Sequence, residues 1–178
     1  MPAVNLNITE KTEFLKVKLK GQINRNYKIF YPAKTLNSKN GYRLASIITT
    51  QEGENIVIDE GWYAKEKHEY FLTNNSIFTQ EITGYIRYPR KAKLFTPKNN
   101  IISNEWYTYN LHEIEKFLNL KINKKYFIKN MSVLEESFLI PSELKPTFSN
   151  NHLQYAITWF LMSFAFFVLF LVYLKKNK

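Results

Sequence analysis

The sequence predicts a mainly β protein, an antiparallel β-barrel or sandwich with one or two helices, followed by a C-terminal transmembrane helix. Three observations lead there. Short strand-like segments recur over residues 1–132, separated by Gly, Pro and Asn turns. One stretch, Asn110-Leu111-His112-Glu113, has the form of a soluble helix start. The end of the chain, Asn150 to Lys178, holds twenty uncharged residues from Tyr155 to Leu174. Many short strands with one helix are the pattern of a barrel or sandwich. The organisation that follows is a soluble β domain over 1–132, a connector over 133–149, and a membrane helix with a basic cytoplasmic tail over 150–178.

Glu13 to Lys20 alternates Phe14, Lys16, Lys18 and Lys20 against Leu15, Val17 and Leu19, the period-two pattern of a strand with one wet face. Gly21 is expected to end it. Asn26 to Tyr31 reads as a second strand closed by Pro32, and Asn37 to Gly41 as a turn. Tyr42 to Thr50 and Asn55 to Ala64 form a predicted β-hairpin around Gln51 to Glu54, where Gly53 is free to take positive φ. Their β-branched content fits the centre of a sheet.

Lys65 to Ile77, which contains His68, reads as a loop or irregular connection. Glu81 to Tyr88 is a further strand, interrupted by Gly84 and stopped by Pro89. The predicted helix opens with Asn110 as its N-cap and Glu113 three residues later, and Leu111, Ile114, Phe117 and Leu118 share its apolar face. Asn123 to Lys125 breaks that pattern, and Tyr126 to Ser132 is the last strand. From Val133 to Ser149, with Pro141 and Pro146, the chain suits an extended connector.

The uncharged run from Tyr155 to Leu174 makes a helix about 30 Å long, the thickness of a bilayer's hydrocarbon core. A buried core helix would show a polar face, whereas the polar groups inside this run are Thr158, Ser163 and the tips of aromatic rings. Tyr155, Trp159 and Tyr173 sit near its ends, where amphipathic rings favour the interface. Lys175, Lys176 and Lys178 follow, which places the C-terminus in the cytoplasm and the β domain on the opposite side. At the other end His152, Tyr155, Ala156 and Trp159 form one stripe, continued by Ser163.

The formal net charge of +10 still leaves 22 basic against 15 acidic residues once the three tail lysines are set aside. Lysine abundance here accompanies Asn, Ile, Phe and Tyr, so the charge is weak support for a polyanionic partner, and no nucleic acid is expected. The basic and aromatic mix of Glu81 to Phe95 reads as a strand face with its exit loop. The chain has no cysteine, which excludes disulfides, Cys-based zinc or iron–sulfur sites, thiol catalysis and covalent haem attachment. A single aspartate, Asp59, and the lack of a nucleophile elbow, a phosphate-binding glycine loop or an H-E-x-x-H motif argue against an enzyme. Glu135 and Glu136 are adjacent on the connector rather than an acid/base pair. His112 and His68 read as surface residues, and Trp62 as core packing. His152 differs, because a polar ring at a membrane boundary has an energetic cost.

The segments Ile56 to Trp62, Gly84 to Arg87, Asn104 to Tyr107 and Asn151 to Phe160, in this order along nearly the whole chain, resemble the Surfeit locus protein 1 family of cytochrome c oxidase assembly factors, and an alphaproteobacterial member in particular. The resemblance implies a non-enzymatic protein of the bacterial inner membrane, with two spans and a periplasmic domain, that binds haem a and assists its delivery to oxidase subunit I. It implies that the histidine opening the second span, here His152, is a ligand of the haem iron, with Tyr155 and Trp159 lining the cofactor. Subunit I, haem a synthase and membrane lipid are the expected partners. The alternative is an interaction scaffold for oxidase assembly that binds no cofactor. Two departures from the family pattern stand out: Glu60 precedes Gly61-Trp62 where the family usually has Arg, and the similarity begins around Pro2 to Leu6, where the family has just left its first span, so the expectation is either a start upstream of Met1 or a shortened copy.

Overall fold

The computed structural model describes residues 13–34, 39–92, 94–134, 138–142 and 152–177. They fall into two separately packed units, one ending before residue 146 and one after it. The expectations for the N-terminal dozen residues, for Asn37 and Ser38 of the turn, for Glu135 and Glu136, and for Asn150 and Asn151 lie outside the described residues.

The first unit is a closed five-stranded barrel in the order β1-β2-β3-β5-β4. Its strands are β1 (Lys16–Lys34), β2 (Asn40–Thr50), β3 (Asn55–Ala64), β4 (Ile77–Arg87) and β5 (Phe127–Asn130). This is the barrel of the two architectures expected. Among these five strands the pairings are antiparallel except β3 with β5, which run parallel through Ile58↔Ile128 and Asp59↔Lys129. A parallel pairing needs a long crossover, and the chain from β4 through α2 (Leu111–Leu118) supplies it. A small closed barrel of five strands with this crossover is the architecture of OB-folds, and by itself it assigns no function.

The predicted hairpin is β2 and β3, and Gly53 in its turn has φ +80°. The expected breaks at Gly21 and Pro32 do not occur, and both residues lie within β1. At Gly21 the strand passes β2 so closely that a Cβ would sit 2.5 Å from the Thr49 carbonyl oxygen, so glycine here permits contact rather than termination. The first half of β1 pairs with β4 up to Asn24 and the second half pairs with β2 alone among the named strands. On such a one-sided stretch proline is tolerated. A register shift between Asn24 and Ile29 interrupts the ladder with β2, which continues on both sides of it, just where the pairing with β4 ends.

Lys65 to Ile77 is not the irregular loop expected. A 3-10 turn over Lys65–Lys67 leads into helix α1 (His68–Thr73). The helix has one fully buried anchor, Phe71, whose ring lies 4.3 Å from that of Tyr63. One buried position in six residues leaves too little periodicity to read. The strand expected at Glu81 to Tyr88 begins earlier, at Ile77, because Ile77 to Gln80 pair with Gly21 to Asn24. Helix α2 follows its expectation: Asn110 accepts a hydrogen bond from the Glu113 backbone N–H at 3.5 Å and donates one to its carboxylate at 2.8 Å.

Alternation along the strands gives two cores. Ile23, Leu44, Ile48, Ile58, Ile82 and Ile128 fill the barrel interior. Tyr31, Ile47, Val57, Trp106, Ile114 and Phe127 form a second cluster on the outer face beneath α2. Trp106 is fully buried there and its indole N–H donates to Asn104 Oδ1. Leu134 and Leu139 join the interior cluster, and Ile140 exchanges backbone hydrogen bonds of 2.7 and 2.8 Å with Trp62.

The second unit is helix α3 (His152–Lys176), 25 residues with a mean hydropathy of 2.3 over its most apolar window. It is the one described helix long and apolar enough to cross a membrane.

Candidate functional site

The strand Ile56-Val57-Ile58-Asp59-Glu60 places successive side chains on opposite faces, so its two carboxylates enter different cores. Both are fully buried. Glu60 points into the barrel, where its carboxylate accepts from Arg25 at 2.7 and 3.1 Å and from the Ser46 hydroxyl at 2.6 Å. The Arg25 guanidinium also lies 5.0 Å from the centroid of Phe78 and 5.9 Å from that of Phe71. This satisfies a charge that burial would otherwise make prohibitive. Glu60 is thus one half of an internal ion pair.

Asp59 faces outward, beneath α2. Its carboxylate accepts from Arg43 Nε at 2.8 Å and from the Tyr109 hydroxyl at 2.8 Å, and Lys129 Nζ stands 3.4 Å away. Burial favours the neutral acid, but Arg43, Lys129 and Tyr109 outweigh it and hold the carboxyl below its usual range. Lys129 is lowered, chiefly by burial and despite Asp59, with Arg43 and Arg87 adding repulsion. Tyr109 is sandwiched between Tyr31 and Phe127, with ring centroids 4.0 and 4.1 Å away. Burial and the neighbouring Asp59 raise both tyrosine hydroxyls well above their usual value.

A bulge opposite Leu44 and Ala45 leaves Glu60 as the extra residue of β3, and Gly61 follows with φ +152°. A Cβ on Gly61 would meet the Ile140 carbonyl oxygen at 2.6 Å. Trp62 is buried, and its indole N–H donates to the Ala33 carbonyl at 3.3 Å, so the Gly-Trp unit fastens residues 139–142 to the barrel. Of the remaining histidines, His112 is exposed on α2. His68 is more enclosed than a surface residue: it shares a 2.9 Å hydrogen bond with the Tyr63 hydroxyl, stacks on Tyr42 at 4.1 Å and meets Phe30 edge-on at 4.8 Å. Burial lowers its pKa, Glu105 raises it and Lys65 lowers it further.

The sequence-predicted ligand set lies on α3. His152 is its first residue, and with Tyr155, Ala156, Trp159 and Ser163 it occupies an arc of roughly 100° of the helix surface. The faces of Tyr155 and Trp159 are open, at 65% and 67% exposure. The Thr158 hydroxyl donates to the Tyr155 carbonyl at 2.7 Å and so gives the apolar helix no free polar group. Among the described residues no three His, Asp or Glu side chains come together as a metal site. The arrangement offers one imidazole beside flat aromatic surface, which suits a planar metallo-ligand with an axial nitrogen.

Sequence reasoning placed His152, Tyr155 and Trp159 on one helix face, as α3 has them, and missed the two buried charge clusters. Their signal was present in Asp59-Glu60, two adjacent acids in a strand otherwise apolar on both faces. Their partners Arg25, Arg43 and Lys129 come from three other strands and have no mark of their own.

Comparison with known proteins agrees with the motifs. A family model described as the SURF1 family matches residues 1–164. A SURF1-like protein of Rickettsia conorii is 31% identical over 98% of this chain and 75% of its own length. That of Rickettsia prowazekii is 32% identical over 97% of this chain and 73% of its own. Surfeit locus protein 1 of Gallus gallus is 26% identical over 71% of this chain and 41% of its own. The Rickettsia relatives fit the alphaproteobacterial membership expected from the sequence, and the chain belongs to the SURF1 family.

Proposed function

We propose that this protein is a membrane-anchored, non-enzymatic assembly factor for cytochrome c oxidase that binds haem a as cargo and assists its delivery to subunit I. Haem a synthase is the donor in this scheme, and α3 anchors the protein in the bacterial inner membrane with the barrel in the periplasm and the lysine-rich end in the cytoplasm. The observation that carries the proposal is the position of His152, the first residue of a 25-residue apolar helix. An imidazole at that boundary supplies one axial nitrogen to a haem iron. Tyr155 and Trp159, on the same face, offer aromatic surface to the macrocycle. With no cysteine in the chain, the cargo is held non-covalently and is therefore releasable.

Coexpression with haem a synthesis tests this. The purified full chain is expected to show a haem absorption band, and His152→Ala to lose most of it. Equal spectra for the two proteins would sink the ligand assignment. Capture of subunit I that survives His152→Ala, with no haem in either protein, would replace the proposal by a cofactor-free scaffold.

A further inference from the structure

Beside the Asp59 cluster, between the end of β4 and the Tyr107 to Tyr109 segment, lies a cavity of about 260 Å³. Arg87, Arg90, Lys91 and Lys129 line it, and no carboxylate does among the described residues. The charges around it do not balance. Asp59 faces two cations, Arg43 at 2.8 Å and Lys129 at 3.4 Å, and Lys129 is the one that opens onto the cavity. On the other wall Arg87 Nε at 3.0 Å and Arg90 Nη2 at 3.2 Å converge on a single oxygen, Glu13 Oε1. Five cations therefore stand against two carboxylates. Glu113 lies in the adjoining cleft, beside Lys98, and its carboxylate accepts from Asn99 and Asn110.

We propose that this cavity is a binding site for a phosphoryl group. Guanidinium forks pair with the oxygens of a phosphate in a bidentate manner, and a lysine adds a point charge. Arg87 and Arg90 already show that they can share one oxyanion, because they do so with Glu13. The surplus exceeds the single charge of a carboxylate and suits a phosphate, which carries close to two charges and three acceptor oxygens. The position of Lys129 supports the same assignment: it is one-fifth exposed, on the cavity side, and its other neighbours repel it.

The test uses the full chain in detergent micelles and ³¹P line broadening, with chloride of equal ionic strength as the control. Inorganic phosphate is one probe, and short-chain phosphatidic acid against phosphatidylcholine is the other. Saturable broadening is expected, with affinity weakened at least tenfold in Lys129→Gln and in the double variant Arg90→Gln/Lys91→Gln. Arg90 and Lys91 are exposed, so the double variant leaves both cores intact. A response to phosphatidic acid alone makes the ligand a lipid headgroup, and a response to inorganic phosphate makes it a soluble phosphate ester. Both uphold the site. No broadening beyond the chloride control, or equal broadening in the double variant, overturns it.

Discussion

Arg25 and Glu60 close on each other inside the barrel: Nη2 lies 2.7 Å from Oε2, and the two side chains are 1% and 0% exposed. A charge left there without its partner has no water to turn to. Removing one member of a buried pair costs about 3–5 kcal/mol, whereas replacing both by apolar groups is often neutral. Glu60→Leu is therefore expected to destabilise the barrel by about that amount in urea unfolding followed by near-ultraviolet circular dichroism. Arg25→Met/Glu60→Leu should recover most of the loss. Glu60→Arg alone should fail to fold and Arg25→Glu/Glu60→Arg should fold again. Additive losses in the two single variants would show that the pair is not coupled.

Asp59 gives the protein an acid limit. The unfolded chain binds a proton at the ordinary value near 3.9, while the folded barrel binds it only lower, because Arg43, Lys129 and Tyr109 hold the anion. The unfolded state takes up more protons between those values, so stability from this cluster is complete above about pH 4 and is lost as pH falls through the lowered value. Melting temperature against pH should steepen below about pH 4, and Asp59→Asn should flatten that limb while lowering stability at pH 7. An unchanged acid limb would contradict the cluster's role.

His68 acts in a higher window. Its ring is kept neutral in the fold, with a pKa below the ordinary value of about 6.5. The unfolded state again binds the extra proton, so the stabilising contribution is full above about pH 6.5 and declines as pH falls through the lowered value. The wild-type melting temperature should drop between pH 7 and 5, and His68→Gln should drop less over the same range. Parallel curves would assign the loss to another group.

Gly61 carries a steric prediction. Its φ of +152° is open to glycine, and a Cβ there would press on the Ile140 carbonyl at 2.6 Å. Gly61→Ala is expected to cost roughly 1–3 kcal/mol of backbone strain. The first effect should be release of residues 139–142 from β3, read as faster amide exchange at Ile140, whose N–H bonds the Trp62 carbonyl at 2.7 Å. Unchanged protection at that amide would refute the coupling.

Elements whose cause is local could be read directly from the sequence. The β2–β3 hairpin rests on β-branched runs on either side of Gly53, α2 on the Asn110–Glu113 cap and four apolar positions, and α3 on twenty successive uncharged residues. The His152, Tyr155 and Trp159 stripe is legible for the same reason, since helical spacing alone places them together. Gly21 and Pro32 misled because a breaker's effect depends on the neighbouring strand, and neither neighbour is local.

The sequence by itself determined the mainly β composition, the apolar helix with its histidine-led face, and the exclusion of thiol chemistry. Only the tertiary structure decided that the strands close into a barrel with β3 parallel to β5, that Glu60 belongs to Arg25 and Asp59 to Arg43 and Lys129, and that four cations share one cavity. The division has a physical basis. Helix faces, caps and tight turns arise from interactions over a few residues, whereas barrel closure and buried charge pairing join residues tens of positions apart, and their energies exist only once water has been excluded from between them.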